Sequence, residues 1–463
     1  MLDQLKQRLG GDSNSEAAGY GRRAGLLSIG VGLAGLVTYL FFAISSHVLD
    51  TTQYGELVIC WSAIFITVSI LQRPVEQLLS RTISEHIAHG EGYSRPLAVA
   101  AGIQILVSAT FLGIALLLRE PIQDGLLHGN ATLYWIGIAA IAAYGASYFA
   151  RGFLAGSHRL TLYASLIITE SLIRTLFPLL VAIGVSAGQT AVAIGIVAAP
   201  ALSLICVPIA FLTGADKGGT EAASKPAGGK SLTFSAAKGG WFAGAVLVIM
   251  LSEQTFLNAG PLLVSGTAGA AAAGYIFNVL MIARAPLLLF QAITTSLLPH
   301  LTRLRAEGKL EDFHASVRGT VLAVLAFGVA VAGVMALIGP FFMQLAFSDK
   351  FTYERIGLVI VSLGMGLYLC AATLNQGALA QGQVRRSATR WIVCAALFVA
   401  WTLSSLVTEV DLRVELGFLG SAAILSALLF LIYRDPKPEA GHEIAPDSPE
   451  EVEVQLAAAD EGS

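Results

Sequence analysis

Twelve long apolar stretches constrain the fold of this chain more than any other feature of its sequence. A helix that crosses a bilayer needs about 20 mostly apolar residues. The chain has such stretches at 24–46, 56–80, 97–118, 131–150, 161–184, 189–213, 235–257, 273–298, 317–345, 355–381, 389–407 and 414–433. Because backbone polar groups must be paired inside a bilayer, each stretch is predicted to be a helix. We therefore expect an all-α, polytopic membrane protein with twelve transmembrane helices.

The composition excludes most soluble functions. Of the 463 residues, 55% are hydrophobic and 13% are charged, whereas about 25% are charged in a typical soluble domain. The net charge of −3 gives no general attraction for nucleic acid, so we expect no nucleic-acid partner. The sequence contains no P-loop, no HExxH motif and no Cys/His cluster. We therefore expect a protein that is not an enzyme and that has no cofactor and no metal site.

The lysines and arginines predict the orientation of the chain. If the N-terminus lies in the cytoplasm, most of the 28 lysines and arginines fall in cytoplasmic segments and few fall in external loops. Positively charged residues concentrate on the cytoplasmic side of membrane proteins. The sequence thus predicts that both termini are cytoplasmic and that the protein is a multi-pass protein of the cytoplasmic membrane.

A long polar connection divides the spans into two groups of six. Residues 214–233 are rich in glycine, alanine and lysine, as flexible linkers are. The pattern Gly-x-Leu-Ala at Gly152, after the fourth span, recurs at Gly377, after the tenth, which supports duplication about an axis along the membrane normal. The predicted divisions are a cytoplasmic N-terminal segment (1–23), an N-lobe (24–213), a cytoplasmic linker (214–233), a C-lobe (234–433) and a disordered acidic cytoplasmic tail (434–463).

Ionisable residues inside the spans mark the candidate site. A charge at mid-membrane costs about 2.5–3.5 kcal/mol on insertion scales, so these residues are expected to face one another or a wet cavity. Two of them, Glu170 and Arg174, are spaced i,i+4 on one helix face and can form a pair. The candidate cavity residues are Arg73, Glu76, Glu170, Arg174, Glu253 and Arg284, with the amides of Asn258 and Asn278 as further lining.

The arginines at 73 and 284 differ in their local partners. Arg73 has Glu76 three residues further on, whereas Arg284 has no acidic residue within a helical turn. The sequence leaves three explanations for Arg284 open, namely a site for an anion, a snorkelling arginine or a salt bridge across helices to Glu253. Each arginine is closely followed by a proline and is expected to lie at a helix kink. The two residues together predict a central cavity between the lobes.

Three segments resemble a known superfamily. The runs 53–81, 150–180 and 273–309 resemble the second helix, the fourth-to-fifth helix corner and the eighth helix of oligosaccharide and polysaccharide flippases. These flippases belong to the multidrug/oligosaccharidyl-lipid/polysaccharide (MOP) exporter superfamily. The resemblance implies a V-shaped bundle of two six-helix lobes that translocates a lipid-linked saccharide, or exports a polysaccharide, by alternating access. It also implies that Arg73 and Arg284 would meet the pyrophosphate of such a cargo.

The resemblance implies partners as well. The expected partners are a polyprenyl-linked sugar or polysaccharide as substrate and the lipid bilayer. Polysaccharide-assembly proteins are left open as further partners, and the chain itself is expected to be a monomer.

One departure from the superfamily argues against its peptidoglycan-precursor branch and against its cation-coupled multidrug branch, and two alternative functions stay open beside the flippase. The span 24–46 carries no charged residue, although the peptidoglycan-precursor branch has charges in its first helix and the cation-coupled multidrug branch often has a carboxylate there. The first alternative is a cation-coupled multidrug or metabolite antiporter that depends on Glu253 or Glu170. The second is a non-transporting scaffold of envelope assembly. The sequence leaves the coupling ion, Na⁺ or H⁺, undetermined.

Overall fold

Helices account for the regular structure of the chain over the residues that can be described. The computed structural model describes residues 29–90, 92–208 and 236–436; the predicted segments 1–23 and 214–233 and nearly all of 434–463 lie outside these ranges. The α-helices are α1 (Ile29–Val48), α2 (Thr51–Leu71), α3 (Arg73–Ala88), α4 (Ser94–Leu117), α5 (Ala131–Gly156), α6 (Leu160–Ala182), α7 (Gly188–Ser203), α8 (Ala236–Ala306), α9 (Leu310–Phe347), α10 (Arg355–Ala380), α11 (Val384–Leu403) and α12 (Val410–Arg434).

The helices account for the twelve predicted spans. Within the described ranges, ten helices are long and apolar enough to cross a bilayer, and α2 with α3 forms one of them. The long helix α8 turns at Gly269, so its two parts account for two predicted spans. Helix α11 accounts for the remaining predicted span, 389–407. The predicted all-α fold class is therefore confirmed. An even number of crossings puts both ends of the bundle on one membrane face, which we call the terminal face, and the opposite face the distal face.

One detail of α8 differs from the prediction. The sequence predicts a loop between the spans 235–257 and 273–298, but the helix continues to Gly269, whose φ of 84° suits a residue without a Cβ. Gly269 is the residue of α8 at which the backbone angles are non-helical, and the kink expected at Pro286 stays a prediction. The turn that reverses the chain at the distal face is therefore confined to one glycine.

The second span breaks beside Arg73, as its proline predicts. Helix α2 ends at Leu71 and α3 begins at Arg73, with Gln72 between them and Pro74 in the first turn of α3. Proline fits a first turn because its missing N–H would have no partner there. The Gln72 side-chain oxygen accepts a hydrogen bond of 2.6 Å from Gln104 on α4. This hydrogen bond therefore connects the residue between α2 and α3 to the neighbouring helix α4.

The two lobes pack together near the distal face. Helix α2 of the N-lobe lies along α8 of the C-lobe, with Gly55 at the closest approach. A Cβ atom at Gly55 would lie 1.8 Å from the carbonyl oxygen of Ala270, and one at Gly274 would lie 3.3 Å from the Gly55 Cα atom. Small residues allow helix backbones to approach this closely inside a membrane. The two glycines therefore define where the lobes meet.

Polar and aromatic groups reinforce this packing. The Tyr54 hydroxyl donates a 2.5 Å hydrogen bond to the Asn278 side-chain oxygen, and Lys350 Nζ donates a 3.0 Å bond to the Leu49 carbonyl oxygen. The rings of Tyr54 and Phe351 are 5.0 Å apart. These five residues join the lobes on the distal side, and we refer to them as the distal contact.

The hydrogen bond between Tyr54 and Asn278 is expected to hold the distal face closed. In the Tyr54→Phe variant Asn278 loses this donor, and its Nδ2 atom already lacks a partner among the described residues. A net hydrogen bond contributes about 0.5–1.5 kcal/mol, so the open population should rise by roughly twofold to tenfold. The measurement is the spin-label distance distribution between His128 and Leu406, which lie in distal loops of opposite lobes.

Tyr134→Phe provides a matched control for that change. Tyr134 is equally buried, and its hydroxyl donates a 2.7 Å bond to the Ala115 carbonyl oxygen within the N-lobe. This variant also loses one hydrogen bond but should leave the distal distances unchanged. Equal distance distributions in the two variants would contradict a gating role for Tyr54.

Candidate functional site

A cavity of about 830 Å³ lies between the lobes. Its walls come from α1, α2, α3, α5 and α6 of the N-lobe and from α8 of the C-lobe. It extends from Val31 and Arg81 on the terminal side to Phe42 and Phe277 in the middle of the bundle. The distal contact lies beyond these two rings. The cavity is thus accessible from the terminal face and closed toward the distal face.

Most of the predicted site residues lie on this cavity. Six of the eight line it, namely Arg73, Glu76, Glu170, Arg174, Asn258 and Arg284. Glu253 is not part of the lining, but it interacts electrostatically with Arg73 across the two lobes. Asn278 is fully buried in the distal contact, which corrects its predicted place in the cavity. Five predicted charged residues and one predicted amide therefore come together in one space.

Glu170 lies between two arginines. Arg174 Nη2 donates to Glu170 Oε1 at 2.7 Å, and Arg151 Nη2 donates to Glu170 Oε2. The Ser147 hydroxyl donates a further bond of 3.3 Å to Oε2. All three charged side chains are buried. The pair predicted from the i,i+4 spacing therefore exists, but it belongs to a cluster of three residues with excess positive charge.

Sequence reasoning missed Arg151. The predicted span 131–150 placed this arginine at a cytoplasmic corner, but α5 continues to Gly156 and carries Arg151 inside the bundle. The residue is 8% exposed, and its guanidinium carbon lies 4.5 Å from the centre of the Tyr148 ring. The available signal is a polar stripe at helical spacing, Tyr144, Tyr148 and Arg151, in an otherwise apolar helix.

Glu76 and Arg73 form a second charged group on the N-lobe wall. The Tyr163 hydroxyl donates a 2.7 Å hydrogen bond to Glu76 Oε1. Arg73 interacts with Tyr148 and with the carboxylates of Glu76 and Glu253. Since Glu253 belongs to the C-lobe, Arg73 connects the two lobes electrostatically on the terminal side of the distal contact.

Arg284 has no acidic partner among the residues that the structure describes. Its Nη1 atom donates to Asn258 Oδ1 at 3.3 Å, and its Nε and Nη2 atoms have no hydrogen-bond partner among the described residues. No salt bridge joins it to Glu253 in the described chain, which removes one of the three explanations left open by the sequence. A buried guanidinium without a carboxylate favours the approach of an anion.

The fold defined by these two lobes is that of a known class of transporter. No protein-family model matches the sequence, and no curated protein matches it. Solved structures do match. An inward-facing multidrug resistance MATE family transporter of the MOP superfamily aligns with a TM-score of 0.65 and 12% identity over 93% of this chain and 96% of that chain.

Two further MATE structures support the same fold. The outward-facing conformation of a multidrug resistance MATE family transporter aligns with a TM-score of 0.59 and 13% identity over 96% of each chain. The eukaryotic MATE transporter AtDTX14 aligns with a TM-score of 0.57 and 15% identity over 90% of this chain and 97% of that chain. The chain therefore has the fold of the MATE transporters, with twelve transmembrane helices in two lobes.

The comparison refines the resemblance seen in the sequence. The TM-score is higher for the inward-facing structure than for the outward-facing one. The matched structures are described as MATE transporters, two of them of the MOP superfamily, and they show the two-lobe fold that the resemblance implies. They give no support to the polysaccharide and lipid-linked oligosaccharide branch of that superfamily.

Proposed function

We propose that this protein is a membrane transporter that moves its substrate through the interlobe cavity by alternating access. The observation that carries the proposal is a charged cavity of about 830 Å³ in the middle of the bundle, accessible from one face. Charged groups at membrane depth are costly and typically mark the path of a substrate or ion. A scaffold has no need of such a cavity, because its buried charges could pair without leaving space between the lobes.

The form of transport best supported is cation-coupled antiport of small molecules. Two of the matched structures are described as multidrug resistance transporters. The cavity volume lies within the range of about 300–1,000 Å³ that is typical of small-molecule sites. The proposal places the protein in the cytoplasmic membrane with its terminal face in the cytoplasm.

Glu253 is the carboxylate that we assign to the coupling ion. Two guanidiniums bind Glu170, and Tyr163 binds Glu76. Glu253 accepts no hydrogen bond from the described residues and lies within the electrostatic range of Arg73. A proton or Na⁺ on Glu253 would therefore weaken an attraction between the lobes, which couples ion binding to their separation.

Movement of a lipid-linked saccharide is the second candidate. Its specific support is Arg284, whose unpartnered N–H groups could meet a pyrophosphate. This candidate predicts transport only of a substrate with a polyprenyl chain. The antiporter predicts gradient-driven movement of small organic ions.

The antiporter proposal is tested in proteoliposomes with an imposed pH or Na⁺ gradient. The probes are ethidium, as an organic cation, and anilinonaphthalenesulfonate, as an organic anion. The wild-type protein is expected to accumulate at least one of them when the gradient is applied. Glu253→Gln should abolish this response while leaving probe binding in detergent intact, because the amide cannot carry the ion.

Glu311→Gln is the matched control, since Glu311 is exposed at the start of α9. It should transport like the wild-type protein. Failure of the wild-type protein to move either probe under both gradients would refute small-molecule antiport. Normal coupling in Glu253→Gln would refute the role of Glu253.

A further inference from the structure

The inner end of the cavity is built from aromatic rings of both lobes. Phe42, Trp61 and Phe65 of the N-lobe and Phe277 of the C-lobe line it, and we call these four rings the aromatic floor. The Phe42 ring centre lies 4.5 Å from that of Phe277 and 5.4 Å from that of Trp61, and the Trp61 and Phe65 centres are 5.3 Å apart. A continuous surface of this kind favours the face or edge of another planar ring.

Five arginines line the same cavity, and three of them have a buried Nε atom without a hydrogen-bond partner in the described chain. These three, Arg151, Arg174 and Arg284, form what we call the guanidinium wall. One carboxylate, Glu170, lies within salt-bridge distance of them in the described chain, and it bonds only Arg151 and Arg174. The wall therefore has excess positive charge and unused N–H donors.

The floor and the wall meet at Arg174. Its guanidinium carbon lies 4.7 Å from the centre of the Trp61 ring. A ring that packs against the aromatic floor thus places its substituents beside the guanidinium wall. A lipophilic cation fits the floor but is repelled by the wall, and an aliphatic anion fits the wall but makes fewer ring contacts with the floor.

We propose, building on the transport function proposed above, that the substrate is a compact amphiphilic anion, a planar ring system bearing a carboxylate, sulfonate or phosphate. The ring lies on the aromatic floor, and the acidic group accepts charge-assisted hydrogen bonds from the guanidinium wall. The cavity volume of about 830 Å³ is large enough to enclose a small molecule of this class completely. Arg151 and Arg174 hold Glu170 as an internal counter-ion, which the acidic group of the substrate replaces in part.

Three probes separate the contributions of charge and ring. Naphthalenesulfonate has both features, naphthyltrimethylammonium has the ring with the opposite charge, and decanesulfonate has the charge without the ring. Binding to the purified full chain is measured by equilibrium dialysis. Naphthalenesulfonate should bind roughly tenfold or more tightly than the cation and about twofold to tenfold more tightly than decanesulfonate. Equal or tighter binding of the cation overturns the proposal.

Two variants assign these preferences to residues. Arg284→Gln should lower the anion-to-cation preference by roughly tenfold, because it removes charge-assisted donors. Trp61→Leu should remove the preference for the ring over the aliphatic chain. If Trp61→Leu fails to fold, Phe65→Leu tests the same floor at a partly exposed position. An unchanged preference in Arg284→Gln contradicts the assignment.

The chain provides a matched pair of control residues. Arg119 lies over the Trp135 ring at 5.4 Å, a contact similar to that of Arg174 with Trp61 but outside the cavity. Arg119→Gln and Trp135→Leu remove the same chemical groups and should leave all three affinities unchanged. A loss of binding in these controls equal to that in the cavity variants would show that the probes bind elsewhere.

Transport of the same probes distinguishes this inference from the proposed function. If naphthalenesulfonate binds as expected but no gradient moves it in proteoliposomes, the transport function fails and the assignment of the binding site stands. If a gradient moves naphthyltrimethylammonium alone, transport stands and the anionic substrate class is wrong.

Discussion

Replacing Glu170 by glutamine is expected to destabilise the protein by about 3–5 kcal/mol, the cost of removing one partner from a buried ion pair. Glu170 is the only carboxylate of the described chain within salt-bridge distance of Arg151 or Arg174. Its removal leaves two buried guanidiniums without a salt-bridge partner in the described chain, and the more distant Glu76 interacts electrostatically only with Arg151 of the two. The measurement is unfolding of the purified protein in mixed micelles, compared with the wild type under the same conditions.

A second substitution separates charge from hydrogen-bond geometry. In the double variant Glu170→Gln, Arg151→Gln one uncompensated charge is removed along with the carboxylate, so the cluster regains its original excess of one positive charge. We expect the double variant to recover much of the stability lost in Glu170→Gln. If the double variant lost as much free energy of unfolding as Glu170→Gln and Arg151→Gln lose together, the electrostatic explanation would be contradicted. Substitutions of charges that interact are not expected to have additive effects.

The chain offers an exposed counterpart of Glu170 as a control. Glu307 also lies between two cations, at 2.6 Å from Arg303 Nε and 2.7 Å from Lys309 Nζ, but this group is at the surface. Water and salt screen such contacts, so Glu307→Gln should leave unfolding unchanged. The comparison isolates burial, since the carboxylate lies between two positive charges in both cases.

The same Glu170 variant should bind anions more tightly. If Glu170 is the internal counter-ion of Arg151 and Arg174, its removal frees both guanidiniums for the acidic group of a ligand. Glu170→Gln is therefore expected to be less stable yet to have a higher affinity for naphthalenesulfonate. Reduced affinity together with reduced stability would show that Glu170 only organises the site.

The number of spans was predictable because it depends on local composition. An apolar stretch such as 317–345 must be helical in a bilayer wherever its neighbours lie, and the structure places it within α9, Leu310–Phe347. The continuity of α8 was not predictable in this way. Its segment 258–272 contains one proline and three glycines, which favour a loop in water but are more frequent in membrane helices than in soluble ones.

The candidate site was predictable only where its partners share one helix. Glu170 and Arg174 are four residues apart, so helical spacing alone brings them together. Arg151 reaches the same carboxylate from α5, and the bond of Asn278 to Tyr54 joins residues 224 positions apart. Contacts of that kind depend on how the helices pack and on how the lobes meet, and the spacing of residues along one chain does not determine either.

Replacing Gly55 by leucine is expected to prevent the distal face from closing. A Cβ atom at this position would lie 1.8 Å from the Ala270 carbonyl oxygen and 2.4 Å from its carbonyl carbon. These are backbone atoms, so the clash cannot be relieved by rotating a side chain, and the lobes must separate there. Overpacking costs typically about 1–3 kcal/mol, which corresponds to a roughly 5- to 150-fold change in the ratio of closed to open molecules.

The spin-label distance between His128 and Leu406 measures this change, and Gly55→Leu should shift it toward longer values and abolish gradient-driven transport. Alternating access requires a state in which the distal face is closed, so a protein that cannot reach this state cannot complete a transport cycle.

Gly102→Leu is the control for Gly55→Leu. Nothing lies within 4 Å of a Cβ atom at Gly102, and both substitutions raise helix propensity by the same amount. Should Gly55→Leu fail to fold, Gly55→Ala introduces the same Cβ atom with less bulk. Wild-type distances in a folded Gly55 variant would show that the lobes do not meet at this glycine, and the closed distal face would need another explanation.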